Sequence, residues 1–293
     1  MGATPSAPPP PPPPKPEFDQ PWRKMPWGEK DKIEHKLRTF RLKRTSAHFV
    51  RILVVGEVGA GKSSFINSVN NAFQKRITSG ALVDRTGGTS FTKNYKTHYI
   101  EAEDGSNLPF VFNDIMGFED KLSGANADDI IKAIDGLLHE GHNFEDTCMT
   151  DADYRSNPSV EHQTACLVNI VAADKISIMK NGVIDKLKKI RQSATKRNIP
   201  QVIIMTRSDL ACPLVKQDLR KIYTSKKIKE KMEVCSNTLG IPMNYIFPVK
   251  NYHEEIDTDD DMDLLILKAL DQIVQNAADL LKEKSPKCGE ETE

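Results

Sequence analysis

Net charge is the first thing this sequence lacks. Its 41 Lys and Arg balance 41 Asp and Glu, for a formal net charge of +0. A protein that grips nucleic acid by neutralising phosphates is normally basic, so bulk electrostatics gives that class no support. No apolar run approaches the ~18 residues that a membrane-spanning helix requires. The first residues have neither a charged n-region nor an apolar h-region, so no secretory signal is expected. Cysteine is scarce: five residues, at 148, 166, 212, 235 and 288, scattered and odd in number. That excludes a disulfide framework and suits reduced thiols in a cytosolic protein. What remains is a chain of 293 residues, 38% of them hydrophobic, with room for one generous α/β domain or two small ones.

Proline marks where the fold begins. Eleven of 18 prolines lie within residues 1–26, and Pro8 to Pro14 are unbroken. Such a run locks into polyproline II and builds no core. Residues 1–20 are therefore expected to be a disordered tail. Pro10, Pro13 and Lys15 have the P-x-x-P-x-K form of a ligand for an SH3-type groove; a passive spacer is the plainer reading. Gly2 and Ser6 also fit a myristoylation pattern, although no polybasic patch adjoins them. Residues 21–48 carry both tryptophans, Trp22 and Trp27, followed by a charged helical pattern over 29–44 with Ile33, Leu37, Phe40 and Leu42 as its apolar positions. This segment is expected to dock on the domain that follows, with the tryptophans as anchors.

From residue 49 to 285 the pattern alternates β and α. Strand-like runs fall at 50–55, 95–102, 108–113, 166–171, 201–205 and 245–249. Helical patterns fall at 63–73, 128–140, 182–197, 229–239 and 261–282. Buried runs alternating with helices predict a mostly parallel sheet with helices on both faces, a three-layer α/β sandwich. Residues 286–293 read as a second disordered tail.

The first strand runs into Gly56-Glu57-Val58-Gly59-Ala60-Gly61-Lys62-Ser63, which is G-x-x-x-x-G-K-S. Glycines here let the backbone curl so that N–H groups from Glu57 to Ser64 converge on phosphate oxygens, and the helix beginning at Lys62 adds the positive end of its dipole. Lys62 would reach the β- and γ-phosphates and Ser63 would ligate Mg²⁺. An apolar strand then ends in Asp114-x-x-Gly117. Asp114 is expected to hold the Mg²⁺ through water, and the Gly117 amide to sense the γ-phosphate. Thr206-Arg207-x-Asp209 follows another strand. It has the form of the base-reading loop of GTPases, with Asp209 selecting guanine and Arg207 standing where Lys is usual. Val249 and Lys250 end the last strand and would supply a backbone N–H to the guanine oxygen. Thr92, in the loop before the second strand, is preferred over Thr89 as the mobile threonine that meets Mg²⁺. These elements would converge at the carboxyl ends of the strands, where open α/β sheets bind ligands.

The stretch from Pro21-Trp22-Arg23 through the P-loop to Val69 resembles the interferon-induced protein 44 family, as do Leu108-Pro-Phe, Asp114-Ile-Met-Gly117, Val249-Lys-Asn-Tyr252 and Asp263-Leu-Leu-Ile-Leu267. The similarity covers roughly residues 21–285. It implies a P-loop GTPase-like fold and a cytoplasmic guanine-nucleotide-binding protein (GTP/GDP with Mg²⁺) tied to interferon-linked innate immune and antiviral responses. Longer members carry an N-terminal domain ahead of the P-loop, where this chain has polyproline, so properties of that domain are not carried over.

Hydrolysis needs an oriented water. Small GTPases place Gln directly after the D-x-x-G glycine, and Phe118 stands there, unable to donate or accept. Val58 would crowd an entering arginine finger, which otherwise supplies about 10³–10⁵ in rate. The expected activity is a nucleotide switch or binding module with slow or no turnover. Dimerisation across the nucleotide face could instead deliver a catalytic group in trans, with Arg85, Lys93 and His98 as candidates. A different reading is an adaptor that recruits partners through its polyproline tail, the nucleotide being mainly structural.

Overall fold

Seven consecutive residues from Cys166 to Ala172 are fully or almost fully buried. Only a strand covered on both faces accepts such a run. It is β4 of a six-stranded sheet made of β1 (Val50–Gly56), β2 (Lys96–Glu101), β3 (Asn107–Asp114), β4 (Cys166–Ala172), β5 (Gln201–Thr206) and β6 (Ile246–Pro248). The computed structural model describes residues 15–43, 45–78, 93–119, 125–145, 150 and 153–284. The strand order is β2-β3-β1-β4-β5-β6. All neighbours are parallel except the edge strand β2, which runs antiparallel to β3. The expected mostly parallel sheet is thus present, mixed by one strand. The polyproline run and residues 285–293 lie outside the described residues.

The helices are α1 (Lys30–Arg38), α2 (Lys62–Gln74), α3 (Ala127–Ile134), α4 (Asn181–Lys196), α5 (Ser208–Ala211), α6 (Pro213–Gln217), α7 (Lys226–Leu239) and α8 (Asp260–Lys284). Helices α1 and α2 pack against α8, while α3 and α7 pack against α4, forming two layers about the sheet. Their ends follow local chemistry. The Asn126 side chain accepts the Asp128 N–H at the start of α3, Ser225 does the same for Ile228 at α7, and Gly240 closes α7 in the left-handed region at φ 71°.

Two helices are shorter than their sequence patterns. The one expected over 128–140 stops at Ile134, because Gly136 turns the chain at φ 78° and lies where a Cβ would stand 2.7 Å from the His162 backbone. The one expected over 29–44 stops at Arg38, where Thr39 Oγ1 donates back to His35 O at 2.8 Å. Phe40 and Leu42 still pack on the core from beyond the helix.

Trp22, Met25 and Trp27 of the N-terminal segment pack against the core, and the segment's central anchor is Arg23. The guanidinium lies between the rings of Trp22, Tyr223 and Phe247, 5.1 to 5.7 Å from their centroids. It donates to Ile246 O and Met243 O, both at 2.7 Å. Residues 15–20, read from the sequence as part of a disordered tail, lie along the start of α7. Phe18 N–H donates to Thr224 O (2.8 Å), Lys226 N–H donates to Pro16 O (3.2 Å), and Glu17 pairs with Lys221 (2.9 Å). The reason lies in the partners: Lys221, Thr224 and Lys226 give this short stretch ionic and backbone contacts that proline counting does not register.

Further along, Lys30 of α1 pairs with Asp260 (2.6 Å) and Asp263 (3.8 Å) of α8. Tyr252 Oη donates to Asp263 Oδ1 at 2.7 Å. Burial dominates at Asp263 and, with Asp259 and Asp260 nearby, pushes its carboxyl up to about 6 against the pull of Tyr252 and Lys30. A raised acid favours the fold while protonated and loses that advantage as pH rises through the folded value. Stability is therefore expected to fall between pH 4 and pH 6. Asp263→Asn, which keeps an oxygen toward Tyr252, should remove that slope and leave the variant about 1–2 kcal/mol less dependent on pH in urea titrations. Arg23→Ala should cost about 1–3 kcal/mol of unfolding free energy, since it removes the partner of two part-buried carbonyls and the cation from three rings.

Candidate functional site

Strand β1 lies between β3 and β4, with Val54 opposite Asp114 and Gly56 opposite Ile170. Gly56 is the last residue of the strand, and a Cβ there would run into Ile170 O. The chain then curls through Gly59 (φ 70°) and Gly61 (φ 94°), both left-handed, a region glycine enters without penalty. Gly61 is the N-cap of α2 and offers no side chain to its first-turn amides, so the N–H groups of Lys62, Ser63 and Ser64 have no cap within the helix.

Three side chains from two other loops hold the carbonyls of this turn. Arg207 Nη2 donates to Gly59 O (2.5 Å), Thr206 Oγ1 to Ala60 O (2.7 Å) and Asn251 Nδ2 to Gly61 O (3.1 Å). With these oxygens drawn outward, the amides of Gly61 and Lys62 point the opposite way, into the hollow. Phe118 closes the other side. Its N–H donates to Gly56 O (3.0 Å), and its carbonyl accepts from Val58 N–H (3.1 Å). This bridge presses Gly117 against the loop so closely that a Cβ would lie 2.8 Å from Lys62 Nζ and from Val58.

Within the hollow Lys62 is 6% exposed. Its ammonium approaches only Glu57 O at 3.4 Å and Gly56 O at 3.5 Å, and no carboxylate lies within ion-pair distance among the described residues. Burial pushes its pKa down, while the fields of Asp114 and Glu57 pull it up. Ser63 Oγ donates to Asp114 Oδ2 at 2.7 Å, so the two oxygens expected at a metal meet each other. The other Asp114 oxygen accepts the Ile115 N–H at 3.0 Å.

In the loop after β5 Arg207 has φ 56°, a left-handed conformation uncommon outside glycine. Its guanidinium spans two partners, Gly59 O through Nη2 and Asp174 Oδ2 through Nη1 at 3.7 Å. A Lys ammonium could not fork in this way, which gives a physical reason for T-R-x-D here. Asp209 is half-buried, and no hydrogen bond or ion pair engages its carboxylate among the described residues. The Val249 N–H, expected to face a base, instead donates to Met205 O at 2.8 Å. Lys250 pairs with Glu255 at 2.7 Å. Burial resists ionisation of Glu255, but Lys250 and the His253 and Glu255 N–H groups outweigh it and hold that carboxyl at about 2.

Thr92, Thr89 and Arg85 lie outside the described residues. Lys93 is paired with Glu145 at 3.0 Å. Burial holds half-buried His98 below its ordinary pKa, with Asp114 opposing. Sequence reasoning missed Asp174 and the side-chain role of Asn251. Both carried one visible signal, a polar residue a few positions past a buried strand.

A parallel sheet in this order, with a glycine loop after its first strand, a D-x-x-G after its third and T-R-x-D after its fifth, defines a P-loop domain of GTPase-like fold. The chain is similar in sequence to the interferon-induced proteins 44 and 44-like. It is 32% identical to interferon-induced protein 44 of Homo sapiens over 251 residues, 84% of this chain and 56% of that protein. It is 30% identical to the Mus musculus protein of the same name and 28% to the human 44-like protein, each over 239 residues and 80% of this chain. The chain spans about half the length of these curated relatives, between 53% and 56%. No protein-family model matches it. Among solved structures, Toc33 from Arabidopsis thaliana in complex with GDP and Mg²⁺ aligns at 13% identity and TM-score 0.47, covering 88% of this chain and 94% of that one. A probable GTP-binding protein engB aligns at 12% identity and TM-score 0.41, covering 80% and 99%.

The Arg207–Asp174 pair is about one-third exposed, so its coupling is modest. A double-mutant cycle of Arg207→Lys and Asp174→Asn in unfolding free energy should give about 0.5–1 kcal/mol, with the double variant little worse than either single one.

Proposed function

We propose that the hollow holds the phosphates of a guanine nucleotide with Mg²⁺, and that the protein acts as a nucleotide switch or binding module with slow or no intrinsic hydrolysis. One observation carries this reading: Lys62 is a buried cation with no counter-ion within ion-pair distance among the described residues, set beside amides that no side chain caps. A buried charge is costly unless paired. A phosphate supplies the pairing, and the helix terminus is suited to receive it.

Ser63 and Asp114 would hold the metal, with Thr92 as a further ligand. Mg²⁺ would screen the phosphate charge. Asp209, whose carboxylate is unengaged, would accept from the two N–H donors of guanine, and adenine offers no such pair. Arg207 would lay its stem along the ring. Phe118 is fully buried and spends its backbone on the P-loop. No group at that position can orient a water, which supports slow turnover.

Similarity to the interferon-induced proteins 44 supports a role in interferon-linked innate immune and antiviral response, in the cytoplasm. No helix among the described residues is long and apolar enough to cross a membrane. The adaptor reading keeps one supporting observation. The Lys15 carbonyl accepts from Lys226 Nζ at 2.8 Å, so the residue that follows the polyproline run in sequence is held at the start of α7.

Calorimetry with GTP, GDP and ATP, each with and without Mg²⁺, tests the reading. Guanine nucleotides should bind, and ATP should bind about 100-fold or more weakly. Lys62→Ala should abolish binding, and Asp209→Asn should shift preference toward xanthine nucleotides. Absence of saturable guanine-nucleotide uptake at millimolar ligand would sink the assignment.

A further inference from the structure

Four large hydrophobic side chains are exposed among the described residues: Ile256 (87%), Ile178 (77%), Leu210 (58%) and Tyr99 (49%). Tyr99 is shielded by an edge contact with Phe49, 5.6 Å between centroids. The other three come from three successive loops at one edge of the sheet. Ile178 follows β4, Leu210 follows β5 and Ile256 follows β6, and these strands are parallel neighbours. Single exposed aliphatics are ordinary, but these three lie in the loops after three neighbouring parallel strands, on one edge of the sheet.

The loops present these residues on fixed supports. Ile178 ends a 3₁₀ turn whose Ser177 accepts Lys231 Nζ at 2.9 Å. Leu210 sits in α5. The Ile256 loop is tied by the Lys250–Glu255 pair and by Asp259 N–H donating to Tyr252 Oη at 2.7 Å. Little ordering entropy therefore opposes docking.

Charge on this edge is polar in the same order. Exposed Lys175 and Lys180 flank Ile178, and exposed Glu254 and Asp257 flank Ile256. Sheet order puts the β5 loop in the middle. A surface with a basic end, an apolar centre and an acidic end is complementary to itself after a half-turn about its centre. We propose that this edge is a homodimer interface with its two-fold axis at Leu210. Leu210 then meets its copy, Ile178 of each subunit meets Ile256 of the other, and each lysine pair faces the other subunit's Glu254 and Asp257. The occupant is a second copy of this chain. A lipid surface is disfavoured because the acidic end would face headgroups.

The interface stands whichever nucleotide the hollow takes. The test is sedimentation of the full chain without nucleotide and with GDP and Mg²⁺. The parent should show a concentration-dependent dimer in the micromolar range. Variant one carries Lys175→Glu and Lys180→Glu, and variant two carries Glu254→Lys and Asp257→Lys. Each alone should weaken self-association about tenfold or more. An equimolar mixture should recover the parent's dimer, because both contacts of the mixed pair are then between opposite charges. Recovery also shows that both variants are folded. A parent that stays monomeric throughout, variants that dimerise like the parent, or a mixture that fails to recover would each overturn the proposal. So would a monomer that instead sediments with neutral phosphatidylcholine vesicles.

Discussion

The site depends on how three consecutive carbonyls are held. Gly59, Ala60 and Gly61 each give their oxygen to a side chain from beyond the P-loop. A peptide plane has its carbonyl and its N–H on opposite sides, so holding one aims the other. The glycines allow the curl but do not choose its direction. Arg207, Thr206 and Asn251 choose it, from loops more than a hundred residues away in sequence. The glycine turn after β1 and the loops after β5 and β6 are therefore one hydrogen-bonded unit, and a change at one is felt at the other without any moving part between them.

The same unit explains two departures from a familiar pattern. An arginine replaces lysine in T-R-x-D, and the structure gives its guanidinium two tasks where an ammonium would manage one. A phenylalanine follows the D-x-x-G glycine, and its ring is fully buried while its main chain braces the loop. Both residues thus brace the turn after β1, one from each side.

Much of this was legible in the sequence because it is local. Buried runs such as Cys166–Ala172 announce strands, and the spacing of Gly56, Gly61, Lys62 and Ser63 announces the turn that follows one. What could not be read depends on contacts distant along the chain. Asp174 acquires its task only when β4 and β5 lie side by side. The Val249 amide looked free until its partner Met205 was placed beside it. Residues 15–20 looked like continuing tail because their order comes from Lys221, Thr224 and Lys226, some two hundred positions later. Helix lengths failed where single residues, Gly136 and Thr39, ended patterns that periodicity would have continued.

The Arg23 cage has a consequence for solubility. β6 is the outermost strand on its side, and an outer strand with bare carbonyls invites another strand to add to it. Arg23 occupies Ile246 O and Met243 O from the side and roofs them with rings. The segment before the sheet is thus a stopper against sheet growth, and a chain cut back to Val50 would present that margin ready for fibre-like stacking.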